Sequence, residues 1–421
     1  MVTLFKTEKT VQSFALLIIS FYALWGFLFT KTVFARTIFE YVFFLGAFGL
    51  FLLCVFLSRC TKVRKDAIIW IPYVLYSMMG YLFRENVEYF IYWSICCILL
   101  LLASNCDIFK FIPYRFYLIS GFIAIVGQGV QLLLPNIYTT RILPLFQNND
   151  QISYWGSGYG IAGFTYQLDT TAMIIVVAEA IFIYAYTFNE KNRNTWRTYL
   201  FSGLLLCGIF LAGKRMLFLI SILAPALIFL FTEKNSNRKI RRILFFIIAI
   251  CSIGIIFMNN IEFFIGTRFF SRFATTFLNL SNHADITTGR GDLYELALDA
   301  FKNHPIIGIG VGNFISYTGS DTAVHNTYLQ VLCEQGIIGF CAFVIPIIAF
   351  LVFNFRDLRN CNNSGKKFYL RISLFFQLVY ALYALTENVN VNLYGFIMYF
   401  IGISIYISTT SSKLFFQGDQ I

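Results

Sequence analysis

Charge is what this chain has least of. Only 13% of its 421 residues are Asp, Glu, Lys or Arg, about half the share of a soluble domain. It has three histidines, and none of its ten cysteines forms a CxxC pair. The cysteines read as inert small hydrophobes rather than a disulfide or redox framework. No HxxxH, DxD or compact carboxylate cluster occurs in the long polar segments, which argues against a metal centre. The GxSxG elbow of a serine nucleophile is absent too. The first apolar run lacks a small-residue cleavage site and reads as a retained helix rather than a leader. Internal repeats and low-complexity tracts are not visible.

What the chain does have is apolar surface: 58% hydrophobic, 19% aromatic, mean hydropathy +0.71. Runs of about 20 apolar residues, enough to cross the hydrocarbon core, recur throughout. The pattern predicts an all-α polytopic membrane protein with about twelve spans. They fall near 11–30, 37–57, 67–83, 87–104, 116–135, 170–188, 198–213, 216–232, 243–258, 336–353, 368–386 and 391–410. The expected organisation is a bundle over 1–258, an external loop with short helices over 259–335 between spans nine and ten, and closing spans over 336–421. A second external loop covers about 136–169.

The net charge of +11 is not a nucleic-acid footprint. Lys and Arg collect in alternate loops, as in Arg59–Lys65 and Lys234–Arg242. The positive-inside rule then places both termini in the cytoplasm and the two long loops outside.

Few groups outside can carry chemistry. Arg215 sits in LAGKRMLF beside Lys214; a charge there marks a site, or the pair snorkels as a hairpin turn. Arg290 lies between Gly289 and Gly291 ahead of a helix, a natural anion site, while Asp292 suits a cap. In that helix Leu293, Leu296, Ala297, Ala300 and Phe301 share one face until Asn303-His304-Pro305 stops it. Gly308, Gly310 and Gly312 have the wrong spacing for a dinucleotide loop and read as a tight reversal. Of the histidines, His283 and His304 read as structural. His325, followed by Asn326 and a helix returning to the membrane, is the best candidate base. In the 136–169 loop, Tyr154, Trp155, Tyr159, Phe164 and Tyr166 suit a sugar face or an interfacial belt. Glu179 is the clearest ionisable residue within a span.

The run GR, helix, HPIIGIGVGNF, then HNTYLQVLCEQGIIG resembles the signature region of the O-antigen ligase and Wzy-type polysaccharide polymerase superfamily. His325, ten residues and Gly336 match its His-x10-Gly element, and Arg290 stands where the family has its loop arginine. LAGKRMLF looks like the family's arginine at the outer end of a span. Tyr294 replaces a usual leucine, and GIAGFTYQLDTTAMI lacks the usual Asn.

The resemblance implies a metal-independent, inverting glycosyltransferase of GT-C type, working without a cofactor at the outer face of the cytoplasmic membrane. Donor and acceptor would be oligosaccharides on polyprenyl diphosphate. Arg215 and Arg290 would hold the leaving diphosphate and His325 would take the acceptor's proton. Lys214, Gly289, Gly291, Asn326, Glu334 and Tyr166 are the expected substrate-binding residues, with Glu334 orienting the imidazole or capping the span. The expected activity is polymerisation of capsule, exopolysaccharide or O-antigen repeats, with the sibling ligase as the alternative. A flippase ranks behind both, because a transporter has no need of the long external loop. A chain-length regulator and a flippase are the expected protein partners. Arg215, Arg290 and His325 are expected to converge.

Overall fold

A computed structural model describes residues 2–26, 32–33, 39–57, 63–82, 87–146, 160–165, 167–187, 196–232, 237, 240, 278–279, 290–388 and 393–411. The ninth expected span (243–258) and the positions Tyr166, His283 and Gly289 lie outside the described residues.

Apart from an isolated bridge between Thr32 and Phe146, every regular element among the described residues is helical. The main ones are α1 (Val2–Trp25), α2 (Phe39–Leu57), α3 (Ile71–Leu82), α4 (Val87–Asn105), α5 (Tyr114–Leu133) and α6 (Leu168–Phe182). Then come α7 (Trp196–Leu211), α8 (Arg215–Thr232), α9 (Arg290–Asn303), α10 (Phe314–Thr318), α11 (Thr327–Asn360), α12 (Ser364–Tyr383) and α13 (Leu393–Ser411). Every expected span except the ninth coincides with a helix. By length and composition, four described helices could cross a membrane: α5, Leu168–Ala185, α8 and α11.

The chain divides into two compact units. The first comprises Met1–Thr30, Phe34–Tyr117 and Arg290–Ile421; the second comprises Lys31–Val33 and Leu118–Gly289.

The first unit is built on aromatic packing. Trp70 packs on Phe400 at 5.1 Å and Tyr73 on Phe343 at 4.9 Å. Trp93 meets Phe396 at 4.4 Å, and Tyr380 stacks on Tyr399 at 4.4 Å. Such pairs add about 0.5–1.5 kcal/mol each beyond the area they bury, and here they join α3, α4, α11, α12 and α13. A buried polar set adds register: Ser373 donates to the Gly402 carbonyl at 2.6 Å while Gln377 donates to the Ser373 hydroxyl at 3.1 Å. Hydrogen bonds of this kind hold helices together where water is scarce. Near the C-terminal ends of α11 and α13, Tyr406 donates to Asp357 at 2.7 Å and Arg64 to the Ile407 carbonyl at 2.7 Å.

In the second unit α6 is apolar all round and accordingly buried, with Glu179 enclosed at 1% exposure. The glycine-rich segment 160–165 folds tightly against its neighbours. Ile161 N–H donates to the Leu211 carbonyl at 2.8 Å, and Gln128 donates to the carbonyls of Ile161 and Gly208 at 3.0 and 2.9 Å. Tyr138 donates to the Gly163 carbonyl at 2.9 Å, and burial pushes its phenol pKa upward.

Candidate functional site

The site begins with a broken helix. Gly336 sits inside α11 at φ 63°, ψ −168°, a conformation open only to glycine. The break cancels two helical hydrogen bonds, those from the N–H groups of 337 and 338 to the carbonyls of 333 and 334. All four groups find new partners on one strip of chain. Ile337 and Ile338 donate to Pro305 and Ile306 at 2.9 and 3.4 Å, while Ile309 and Gly310 donate to Cys333 and Glu334 at 3.0 and 2.8 Å. The strip can lie this close because Gly308 and Gly336 have no side chain. A Cβ on Gly336 would stand 2.2 Å from the Ile306 carbonyl oxygen, and one on Gly308 2.4 Å from the Gln335 nitrogen. The tight reversal read from the glycines is therefore a backbone crossing at the helix break.

Glu334 locks the crossing from below. Its carboxylate, almost fully buried, accepts from Gly312 N–H at 2.8 Å, Phe314 N–H at 3.3 Å and Gln330 at 3.2 Å. Those bonds satisfy the start of α10 and the glycine-rich turn. Replacing Glu334 by Ala should cost roughly 2–5 kcal/mol, since buried donors lose their acceptor. Replacement by Gln should cost less, as one acceptor remains. Thermal unfolding of the purified protein in detergent checks both.

Helix α9 packs over this frame. Ala297 and Ala300 are buried with Phe314, Val324 and Cys333, and Leu293, Tyr294, Phe301, Ile309 and Leu329 close around them. Leu296, expected on this face, is exposed instead. Tyr294, the departure from the family's leucine, fills the face. The register is set by 293, 297, 300 and 301, which leaves 296 on the far side. His304 lies exposed beyond the helix end, edge-on to Tyr317 at 5.7 Å.

The catalytic candidates of this unit meet at a residue that the sequence reading left out, Glu387. Its Oε1 accepts from Arg290 Nη2 at 3.1 Å, and its Oε2 lies 3.2 Å from His325 Nδ1. Arg290 Nη1 also donates to the Thr386 carbonyl. A helix C-terminus leaves carbonyls unpaired and carries partial negative charge, and the end of α12 is answered from α9 and α11. Arg290 takes Thr386, Thr327 N–H takes Ala384 at 2.9 Å and the Tyr328 hydroxyl takes Ala381 at 2.9 Å. Thr327 Oγ1 donates to the Glu387 carbonyl at 2.7 Å.

His325 is the one non-glycine residue with positive φ, 56°, among the described residues. Left-handed backbone costs a residue about 1–2 kcal/mol and gathers at functional positions. It arises because the chain must turn from Val324, fully buried, into Asn326, whose side chain caps α11 by accepting from Leu329 N–H at 3.1 Å. The turn aims the imidazole at Glu387. A carboxylate beside a guanidinium accepts, so Nδ1 carries a proton toward Glu387, and in the neutral imidazole the lone pair then lies on Nε2. Nε2 has no partner among the described residues, and the His325 side chain is 35% exposed. This is the tautomer a general base needs.

Gly291 lies exposed in the first turn of α9. In the second unit, Arg215 is the first residue of α8 and is half-buried. Lys214, just ahead of it, pairs with Asp169 at 2.5 Å, next to the start of α6. The pair joins the starts of α6 and α8, so Lys214 answers a carboxylate rather than reaching outward alone. Among the described residues no group of three or more His, Cys, Asp or Glu is placed to hold a metal ion.

Glu387 escaped notice because it belongs to no motif. The usable signal was chemical: an acidic residue in a short linker between two apolar runs, on the same side as the long loop by the charge alternation.

A helical membrane protein with a carboxylate, imidazole and guanidinium cluster at one end of a broken helix is the class these features define. Residues 200–344, about a third of the chain, match the family model described as Wzy_C, O-Antigen ligase, which is consistent with the O-antigen ligase and Wzy-type superfamily. The match supports an enzyme of membrane glycosyltransferase type. It spans Lys214, Arg215, Arg290, His325, Glu334 and the Gly336 break, and it stops short of Glu387. No curated protein matches the chain.

Proposed function

We propose that this protein joins oligosaccharide repeat units carried on polyprenyl diphosphate into a capsule, exopolysaccharide or O-antigen polymer. The observation that carries the reading is the sharing of Glu387 by Arg290 and His325. An acceptor hydroxyl attacks the anomeric carbon of the donor glycan and gives its proton to His325 Nε2. The carbon–oxygen bond to the diphosphate breaks, and polyprenyl diphosphate leaves with the electron pair. A single displacement inverts the anomeric configuration. Glu387 holds the imidazole in the basic tautomer and stabilises the imidazolium that forms, a contribution of about 10²–10⁴-fold for a positioned base. Arg290 gives one N–H to the Glu387 carboxylate and one to the Thr386 carbonyl and leaves the others for phosphate oxygens, near Gly291 at the start of α9, with Gly289 assigned beside it on the sequence resemblance. Arg215 and Lys214 are assigned to the diphosphate, and Asn326 and Tyr166 to the substrate, on the sequence resemblance; Glu334, expected there too, is buried and holds the backbone crossing instead.

The setting is the cytoplasmic membrane, with about twelve spans, both termini inside and the reaction at the outer face. A flippase supplying the donor and a chain-length regulator are the protein partners. The match to the O-antigen ligase family model favours a second reading, transfer of finished glycan to a lipid A core or other acceptor.

Analysis of lipid-linked intermediates in cells lacking the protein separates the readings. Single repeats accumulating outside support the polymerase, and long unattached polymer supports the ligase. Repeats retained inside would mean a flippase. Replacing His325 by Ala should remove long polymer while the membrane level of the protein holds; unchanged chain length would refute the base assignment.

A further inference from the structure

The backbone strip that crosses α11 carries two side chains that nothing among the described residues covers. Ile306 and Ile307 are 62% and 65% exposed. The carbonyls of Pro305 and Ile306 accept from the N–H groups of Ile337 and Ile338, whose side chains are exposed as well, so the four isoleucines form one patch. The patch does not end there. Ile345, Ile348 and Val352 extend it down the exposed face of α11, at the three- and four-residue spacing of one helical stripe. Helix α11 is long and apolar enough to cross a membrane, so this stripe is its lipid-facing side.

Two further features fit a segment kept from water. Irregular backbone is tolerated among lipid chains only where its polar groups find partners. Here the carbonyls of Pro305, Ile306 and Ile307 accept from Ile337, Ile338 and the Tyr76 hydroxyl, the last at 3.5 Å, and Pro305 has no N–H to satisfy; the N–H groups of Ile306 and Ile307, without partners among the described residues, keep the segment at the wet edge of the acyl chains. Polarity also changes abruptly along the chain. Lys302, Asn303 and His304 are exposed just before the proline, and His304 lies edge-on to Tyr317. A cation, an imidazole and a tyrosine above an apolar wedge match the layering of a membrane interface.

We propose that Pro305, Ile306 and Ile307 insert into the outer acyl-chain boundary of the bilayer, continuing the lipid-facing stripe of α11. The Gly336 break then lies at the membrane surface. The helical segment from Thr327 to Gln335 has a length of roughly 13 Å at 1.5 Å per residue, and the two residues before it add at most about 7 Å, so the His325 cluster stands within about 20 Å of the acyl chains. This is the depth of a lipid diphosphate and its first sugars, a last step that rests on the proposed transfer reaction.

The test reads depth rather than activity, so its failure and the failure of the transfer reading are distinguishable. Ile306→Cys and Ile307→Cys are made in the full chain with native cysteines replaced by alanine, labelled with bimane and reconstituted in phosphatidylcholine–phosphatidylglycerol vesicles. Lys302→Cys serves as the aqueous control and Ile348→Cys as the buried-in-lipid control, and size-exclusion elution in detergent confirms that each variant is folded. The expected result is loss of emission at 306 and 307 with a nitroxide placed high on the lipid acyl chain, and no loss with aqueous iodide. Lys302→Cys should show the reverse. Iodide quenching at 306 and 307 would overturn the proposal in favour of a solvated loop. Quenching by neither reagent would overturn it in favour of a protein cover.

Discussion

Replacing Glu387 by glutamine should reduce glycan transfer by about 10²–10⁴-fold, close to the loss from removing His325 itself. The amide keeps the shape of the side chain and loses its charge. One of its two ends must then present an NH₂ group to a donor, either the Arg290 guanidinium or the Nδ1–H of His325. The imidazole responds by turning or by changing tautomer, and in the other tautomer Nε2 carries a proton and cannot accept one. Folding should be affected much less, because Thr327 is held by the Glu387 backbone carbonyl and not by its carboxylate. Polymer length measured in cells, beside the amount of protein in the membrane, gives both quantities. Normal polymer in this variant would mean that the Glu387–His325 contact is structural and that the base lies elsewhere.

Gly336→Ala should destabilise the protein by about 3 kcal/mol or more and lower its level in the membrane. Two costs combine. The φ 63°, ψ −168° conformation is itself worth about 1–3 kcal/mol of strain in any other residue. The new methyl would meet the Ile306 carbonyl at 2.2 Å, and that carbonyl cannot withdraw without giving up its bond from Ile338. Gly319 provides the comparison. It also has a positive φ, 70°, yet a Cβ there would meet nothing within 4 Å, so Gly319→Ala should cost only the backbone term of about 1–2 kcal/mol. Thermal unfolding of both variants in detergent separates strain from collision. Equal losses would show that the crossing of chain 305–310 over α11 is not what demands glycine at 336.

Several parts of the structure are written in local pattern. The helical runs follow from stretches of apolar residues, since a backbone away from water must bond to itself. The stop at Asn303-His304-Pro305 follows from proline sterics, and the cap at Asn326 from the short polar side chain ahead of a helical run. His325 and Arg290 stood out for a similar reason, being ionisable groups in a chain with few of them. The face of α9 was legible only in part. Periodicity selected Leu296, and packing selected Tyr294, because an amphipathic stripe can rotate by one residue without changing its hydrophobic count.

By itself, then, the sequence determined the chain's class as a helical membrane protein, the stretches that form helices, and the few ionisable groups that stand in its polar segments. Those properties depend on residues within a turn or two of one another. The partner of His325 was decided only in three dimensions. Glu387 lies 62 residues from His325 and 97 from Arg290, and no local rule links a linker carboxylate to either. The link comes from the C-terminal carbonyls of α12, which draw Arg290 and the start of α11 to the same helix end. The role of Gly336 was decided there too. Its glycine is required by a carbonyl thirty residues earlier in the chain, which only the folded backbone brings to its side.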